Sequence, residues 1–88
     1  MSVIQHIPTL TNRELQLLML VALGYSAKEV AKRCGIAFRT VETHLGTMRL
    51  KLRARNRTHM VAIAIELGLI SSTQIRQGSQ QANQGAIG

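Results

Sequence analysis

Apolar positions recur along this chain at the three- and four-residue spacing of helices, in four separate sets. Leu15, Leu18, Met19, Ala22 and Leu23 form the first, opened by Thr11 and closed by Gly24. Thr11 with Glu14 three positions later is a capping box: the hydroxyl takes an orphan backbone N–H and the carboxylate reaches back to the cap. This predicts a helix over residues 12–23. Ser26 and Glu29 repeat the pattern, and Val30, Ala31 and Cys34 give a second helix an apolar edge that Gly35 ends after about two turns. The third set lies in the stretch Gly35 to Lys51, GIAFRTVETHLGTMRLK. At 100° per residue, Val41, Leu45, Met48 and Leu52 fall on one narrow stripe with Phe38 at its margin. Arg39, Thr40, Thr43, Gly46, Thr47 and, at the edge, Lys51 occupy the opposite arc.

A short helix, a glycine-containing turn and a longer amphipathic helix follow one another in the order of a helix-turn-helix. A face of short donors and acceptors flanked by cations suits base edges in a DNA groove; an ordinary solvated face has the same composition. Two residues weaken the third helix. Ala37 stands at its cap and costs about 1 kcal/mol against serine. Gly46 costs a similar amount against alanine; it either lets the backbone approach a surface closely or is tolerated surface variation. The fourth set, from about Arg57 to Leu67 with Gly68 as its stop, is apolar nearly all round. Val61, Ala64 and Ile65 cover one arc and Met60, Ile63 and Leu67 another. Only His59 and Glu66, with Ala62 beside them, mark a wet side. One arc closes a small core, so the second either serves as further core cover or takes a partner; self-association is expected through Met60, Ile63, Ala64 and Leu67.

Length and composition narrow the picture. Eighty-eight residues make one domain, with a short arm over residues 1–9, a folding unit over 10–70 and a polar tail over 71–88. The tail is rich in Gln, Gly, Ser and Asn and is expected to be disordered. With one Phe, one Tyr and no Trp, the core must be aliphatic and methionine-rich. The lone Cys34 excludes an intrachain disulfide and is expected to serve packing. No basic-then-apolar leader opens the chain, and the longest apolar run, Leu17 to Leu23, is far short of the ~20 residues that span a bilayer. A cytoplasmic protein is expected, without membrane contact. The formal charge is +7, and residues 39–57 hold six cations and one acid, a net of +5 in nineteen positions. A localised basic patch points to a polyanion, nucleic acid first. Four scattered acids, no histidine pair at metal spacing and no glycine loop after a strand argue against an enzyme, a metal or a cofactor.

The residues resemble the LuxR/GerE-type helix-turn-helix family. LTNREL at Leu10 to Leu15, GYSAKEVAKRCGI at Gly24 to Ile36, TVETH at Thr40 to His44, and KL at Lys51 and Leu52 carry the likeness. RNRT at Arg55 to Thr58 and LGLI at Leu67 to Ile70 complete it, without a gap. The resemblance implies an all-α, four-helix domain with the third helix in the major groove and the fourth at a dimer contact. It also implies a bacterial transcription factor, associated with the nucleoid when bound to DNA. By position, Glu42, Thr43 and Gly46 fall at base-reading places, Thr40, Thr47 and Lys51 at phosphate contacts, and Lys28 near the start of the second helix, beside the backbone. His44 matches a frequent family histidine and is expected to be structural.

Where many members carry Lys or Arg, this chain has Glu42. It either accepts a hydrogen bond from a cytosine amino group or is neutralised by Arg39 or Arg49. Ala37 replaces a common cap serine, Thr47 a common asparagine and Leu50 a frequent basic residue, so specificity does not transfer from relatives. Only nine residues precede the module, and a free-standing, GerE-like form is expected. Two functions follow. The first is a sequence-specific regulator that binds double-stranded DNA as a homodimer. The second is an interaction module whose fourth helix pairs with a full-length LuxR-type regulator; RNA polymerase is a further possible partner.

Overall fold

Helix α1, Asn12–Ala22, begins where the sequence places its cap. Thr11 Oγ1 accepts the Glu14 N–H at 3.0 Å, and Glu14 Oε1 accepts the Thr11 N–H at 2.9 Å. Leu17 and Leu18 are fully buried. The helix stops one residue earlier than expected, with Leu23 as its C-cap and Gly24 in the turn at φ +101°. Helix α2, Ala27–Cys34, opens on the second capping box. Ser26 Oγ accepts the Glu29 N–H at 3.2 Å, and Glu29 Oε1 the Ser26 N–H at 2.8 Å. Gly35 ends it in the left-handed region that favours glycine. The computed structural model describes residues 8–76.

Helix α3, Phe38–Lys51, starts at Ala37 with no side-chain cap, as its alanine requires. Packing holds it instead: Val41, Leu45, Met48 and Leu52 are all buried, and α3 lies against both α2 and α1. Phe38 at the margin of that stripe is half exposed. After Lys51 the chain turns through Arg53, a non-glycine residue at φ 54°. The Ala54 N–H donates to the Arg49 carbonyl at 2.9 Å, and Arg49 Nη1 donates to the Ala54 carbonyl at 3.2 Å, closing the turn from both sides. Helix α4, Arg57–Glu66, is capped by Asn56, whose Oδ1 accepts the His59 N–H at 2.9 Å. His59 Nδ1 in turn accepts the Arg55 N–H at 2.9 Å.

Two expectations are corrected. Met60 and Ala64 are fully buried in the core of the single chain, so neither is open to a partner. Helix α4 packs against α1 and α3, and the core takes the arc midway between the two apolar ones, opposite the exposed His59, Ala62 and Glu66. Of the four residues expected at a dimer interface, Ile63 is half buried and Leu67 is 40% exposed. Nor does irregular chain begin at Ser71. Ser71 Oγ accepts the Gln74 N–H at 3.0 Å and Gln74 Oε1 the Ser71 N–H at 2.8 Å, a third box that starts a short helix, α5, over 72–76. Ile70 is buried and Ile75 packs on the core, supplying the apolar contact that a polar tail lacks. The remaining parts of the arm and tail, 1–7 and 77–88, lie outside the described residues.

Candidate nucleic-acid interface

Burying Val41, Leu45 and Met48 leaves the opposite side of α3 in solvent. Arg39, Thr40, Glu42, Thr43 and Thr47 are exposed there, with Gly46 half buried among them. A Cβ built on Gly46 would meet nothing within 4 Å, so the glycine is not required by packing inside this chain. Thr43 Oγ1 donates to the Arg39 carbonyl at 3.0 Å. With its proton used in this way, the hydroxyl presents lone pairs outward, and beside them a methyl group.

Leu50 lies on the same arc as Arg39 and Thr43 and is 68% exposed, the most exposed large apolar residue described. Collecting only polar residues on the wheel passes over it, although its spacing from Thr43 and Thr47 was available. Lys28 is exposed in the first turn of α2. Further along α2, the Arg33 guanidinium lies 4.4 Å from the centre of the Tyr25 ring, a cation–π contact. Cys34 is a half-buried free thiol, and His44 is half buried at the edge of the stripe.

Lys51, expected at a phosphate contact, is ion-paired within the chain. Its Nζ donates to Glu14 Oε1 at 2.9 Å and to the Thr9 carbonyl at 3.4 Å, which joins α3 to the start of α1. The Glu14 side chain is 5% exposed and that of Lys51 35%. Burial opposes ionisation of Glu14. The Lys51 hydrogen bond and charge together with the Thr11 N–H outweigh it, holding the carboxyl below the ordinary glutamate value. The Ser26 N–H and hydroxyl lower Glu29 likewise.

Glu42 is ion-paired, but with neither of the partners expected. Arg57, the first residue of α4, donates from Nη2 to Glu42 Oε2. Arg39 makes no ion pair, and Arg49 is engaged with the Ala54 carbonyl. The pairing spans fifteen positions, beyond the i+3 and i+4 reach that helical spacing reveals. With Lys51 and Arg57 neutralised, Arg39, Arg49, Arg53 and Arg55 remain as cations without an ion pair along α3 and its following loop, among the described residues. No described helix is long and apolar enough to cross a membrane, and no group of three potential metal ligands occurs among the described residues.

Comparison with known proteins accords with this geometry. The family model described as "Bacterial regulatory proteins, luxR family" matches residues 8–64. Over 61 residues the chain is 41% identical to the response regulator protein VraR of Staphylococcus aureus. It is equally similar to the proteins of that name from Staphylococcus saprophyticus and Staphylococcus epidermidis. Each alignment covers 69% of this chain and 29% of the relative, so the chain matches under a third of the length of those proteins.

Proposed function

The chain belongs to the luxR family of bacterial regulatory proteins, and on that premise we propose that it is a sequence-specific DNA-binding transcription regulator that places α3 in the major groove. The outward face of α3 carries this reading. It combines short hydroxyls at Thr40, Thr43 and Thr47, a gap at Gly46 and the Arg39 cation, on a helix whose other side is locked into the core. A major groove about 12 Å wide admits one helix, and side chains of this length reach base edges when the backbone lies close. The unpaired arginines supply the sequence-independent attraction to phosphate.

The active form in this reading is a homodimer on a pseudo-palindrome. Support comes from the outer side of α4, where Ala62 is exposed and Ile65 is 38% exposed, with Ile63 and Leu67 on one flank. The relatives are named response regulators; the function proposed for this chain is that of the stretch it shares with them.

The test is fluorescence anisotropy of labelled duplexes, drawn from a selected-site pool and a scrambled control, at several salt concentrations. Four arginines without an ion pair predict a log–log salt slope of about −4 per protomer. Selected sites should bind at least ~1000-fold more tightly than scrambled DNA. Thr43→Ala should change the ranking of sites. Binding that is weak and without preference, together with tight association to a full-length relative, would replace this reading with a protein-interaction role.

A further inference from the structure

We propose that Arg57 is a positioning residue for base reading: from α4 it holds Glu42 of α3 so that one carboxylate oxygen faces an exocyclic amino group, that of cytosine, in the groove. The inference rests on the DNA-reading function proposed above. Glu42 is the only acid on α3, and a bare carboxylate on a helix laid against DNA is repelled by the phosphates. Arg57 removes that repulsion without burying the group, since the two side chains are 42% and 45% exposed.

The contact is also one-sided. Arg57 Nη2 binds Oε2, whereas Glu42 Oε1 accepts no hydrogen bond among the described residues. A carboxylate anchored by one oxygen has lost most of its side-chain freedom and keeps a directed acceptor. That acceptor matches the C4 amino group that cytosine presents in the major groove. Gly46, one turn further along α3, leaves open space where a side chain would otherwise stand. Glu42, Gly46, Arg49 and Arg57 border one shallow depression at this seam. Neither Arg39 nor Arg49 bonds the carboxylate, and Arg49 donates instead to the Ala54 carbonyl, so Arg57 is the residue that holds the acid.

The experiment compares the wild-type chain with Glu42→Gln, Arg57→Gln, Arg57→Lys and the Glu42→Gln/Arg57→Gln double variant. Base preference is read at every operator position by selected-site sequencing and checked by anisotropy. Thermal melts accompany each protein. Glu42→Gln should lower discrimination for cytosine at one base pair of each half-site by about tenfold. Arg57→Gln should lower discrimination at that same base pair by a similar factor, leave the ranking elsewhere intact and melt like the wild type, because an exposed pair adds little to folding. Arg57→Lys should recover part of the discrimination, and the double variant should be no worse than either single one.

A uniform loss of affinity with unchanged ranking in Arg57→Gln would make Arg57 a phosphate cation and overturn the proposal. So would effects of Glu42→Gln and Arg57→Gln at different base pairs. A wild-type chain with no sequence preference would sink the DNA-reading function as well. A wild-type chain with a preference insensitive to Glu42 would sink only this inference.

Discussion

Replacing Lys51 with methionine should destabilise the fold far more than an ordinary surface substitution, because it leaves Glu14 ionised and almost enclosed. Exposed ion pairs contribute about 0.2–1 kcal/mol. Removing one partner of a buried pair costs about 3–5 kcal/mol. The Glu14–Lys51 pair lies between these limits, with one side chain 5% exposed and the other 35%. The Thr11 N–H at 2.9 Å still binds Glu14 after the substitution, so the expected loss is about 2 kcal/mol. A domain of this size has about 4–10 kcal/mol in total. The midpoint measured by circular dichroism at neutral pH should therefore fall by about 10 °C.

The loss should also depend on pH, with a definite sign. In the wild type the folded Glu14 value is depressed, so its contribution is complete above the unfolded carboxylate value and disappears as pH falls through the folded one. Without Lys51 only Thr11 remains to oppose burial, so the folded value moves up from the wild-type one and the variant loses less on acidification. The gap between the two melting midpoints should narrow between about pH 7 and about pH 3. Adding Glu14→Gln to Lys51→Met should restore part of the loss at neutral pH. A midpoint unchanged by Lys51→Met, or a gap that stays constant on acidification, would refute this reasoning. A drop of about one unit in the salt slope of DNA binding without a change in melting would return Lys51 to the phosphates.

Ala37→Ser supplies the oxygen that α3 lacks at its cap and should raise stability by about 1 kcal/mol, read as a higher urea midpoint at constant slope; no change would mean that the cap N–H groups are already satisfied. Gly46→Ala meets open space, so it should stabilise the fold by about 0.5–1 kcal/mol while weakening binding to selected DNA. Equal or tighter binding would remove the close-approach role from this glycine. Ile65→Asp should dissociate the proposed homodimer in analytical ultracentrifugation and keep the helical signal, whereas Met60→Ala should cost about 2–5 kcal/mol of stability by opening a cavity. A dimer that persists in Ile65→Asp would place the contact between copies off this side of α4, and a monomeric wild type would show that there is none.

The sequence made local structure legible wherever a signal closes within one helical turn. Thr11 with Glu14 and Ser26 with Glu29 are bonded as the capping-box spacing implies, and the Val41–Leu45–Met48 stripe is buried as its periodicity implies. On α4 the periodicity marks the wet side at His59, Ala62 and Glu66, which are exposed, but two apolar arcs compete for the inward side. Only the shape of α1 and α3 decides that Met60 and Ala64 go in. The third box, Ser71 with Gln74, was within reach of the same rule, but the polar composition around it outweighed the motif.

What the pattern left out is how α3 is set about its own axis. Glu42 and Lys51 are nine residues apart, which at 100° per residue puts them on opposite flanks of the helix. One is held by Arg57 of α4, fifteen positions away, and the other by Glu14 of α1, thirty-seven positions away. The apolar stripe fixes which side of α3 is buried to within the width of a side chain. Two ion pairs lie on opposite flanks of that helix, and in the proposed reading the setting of α3 about its axis decides whether Thr43 or its neighbours meets a given base edge. The acidic residue that looked out of place on a DNA-facing helix thus has the same mechanical role as the lysine that looked like a phosphate contact. In the proposed reading, base recognition and the fold meet at these two side chains: losing Lys51 should act through the stability of the fold, and losing Arg57 at the one base pair that Glu42 faces.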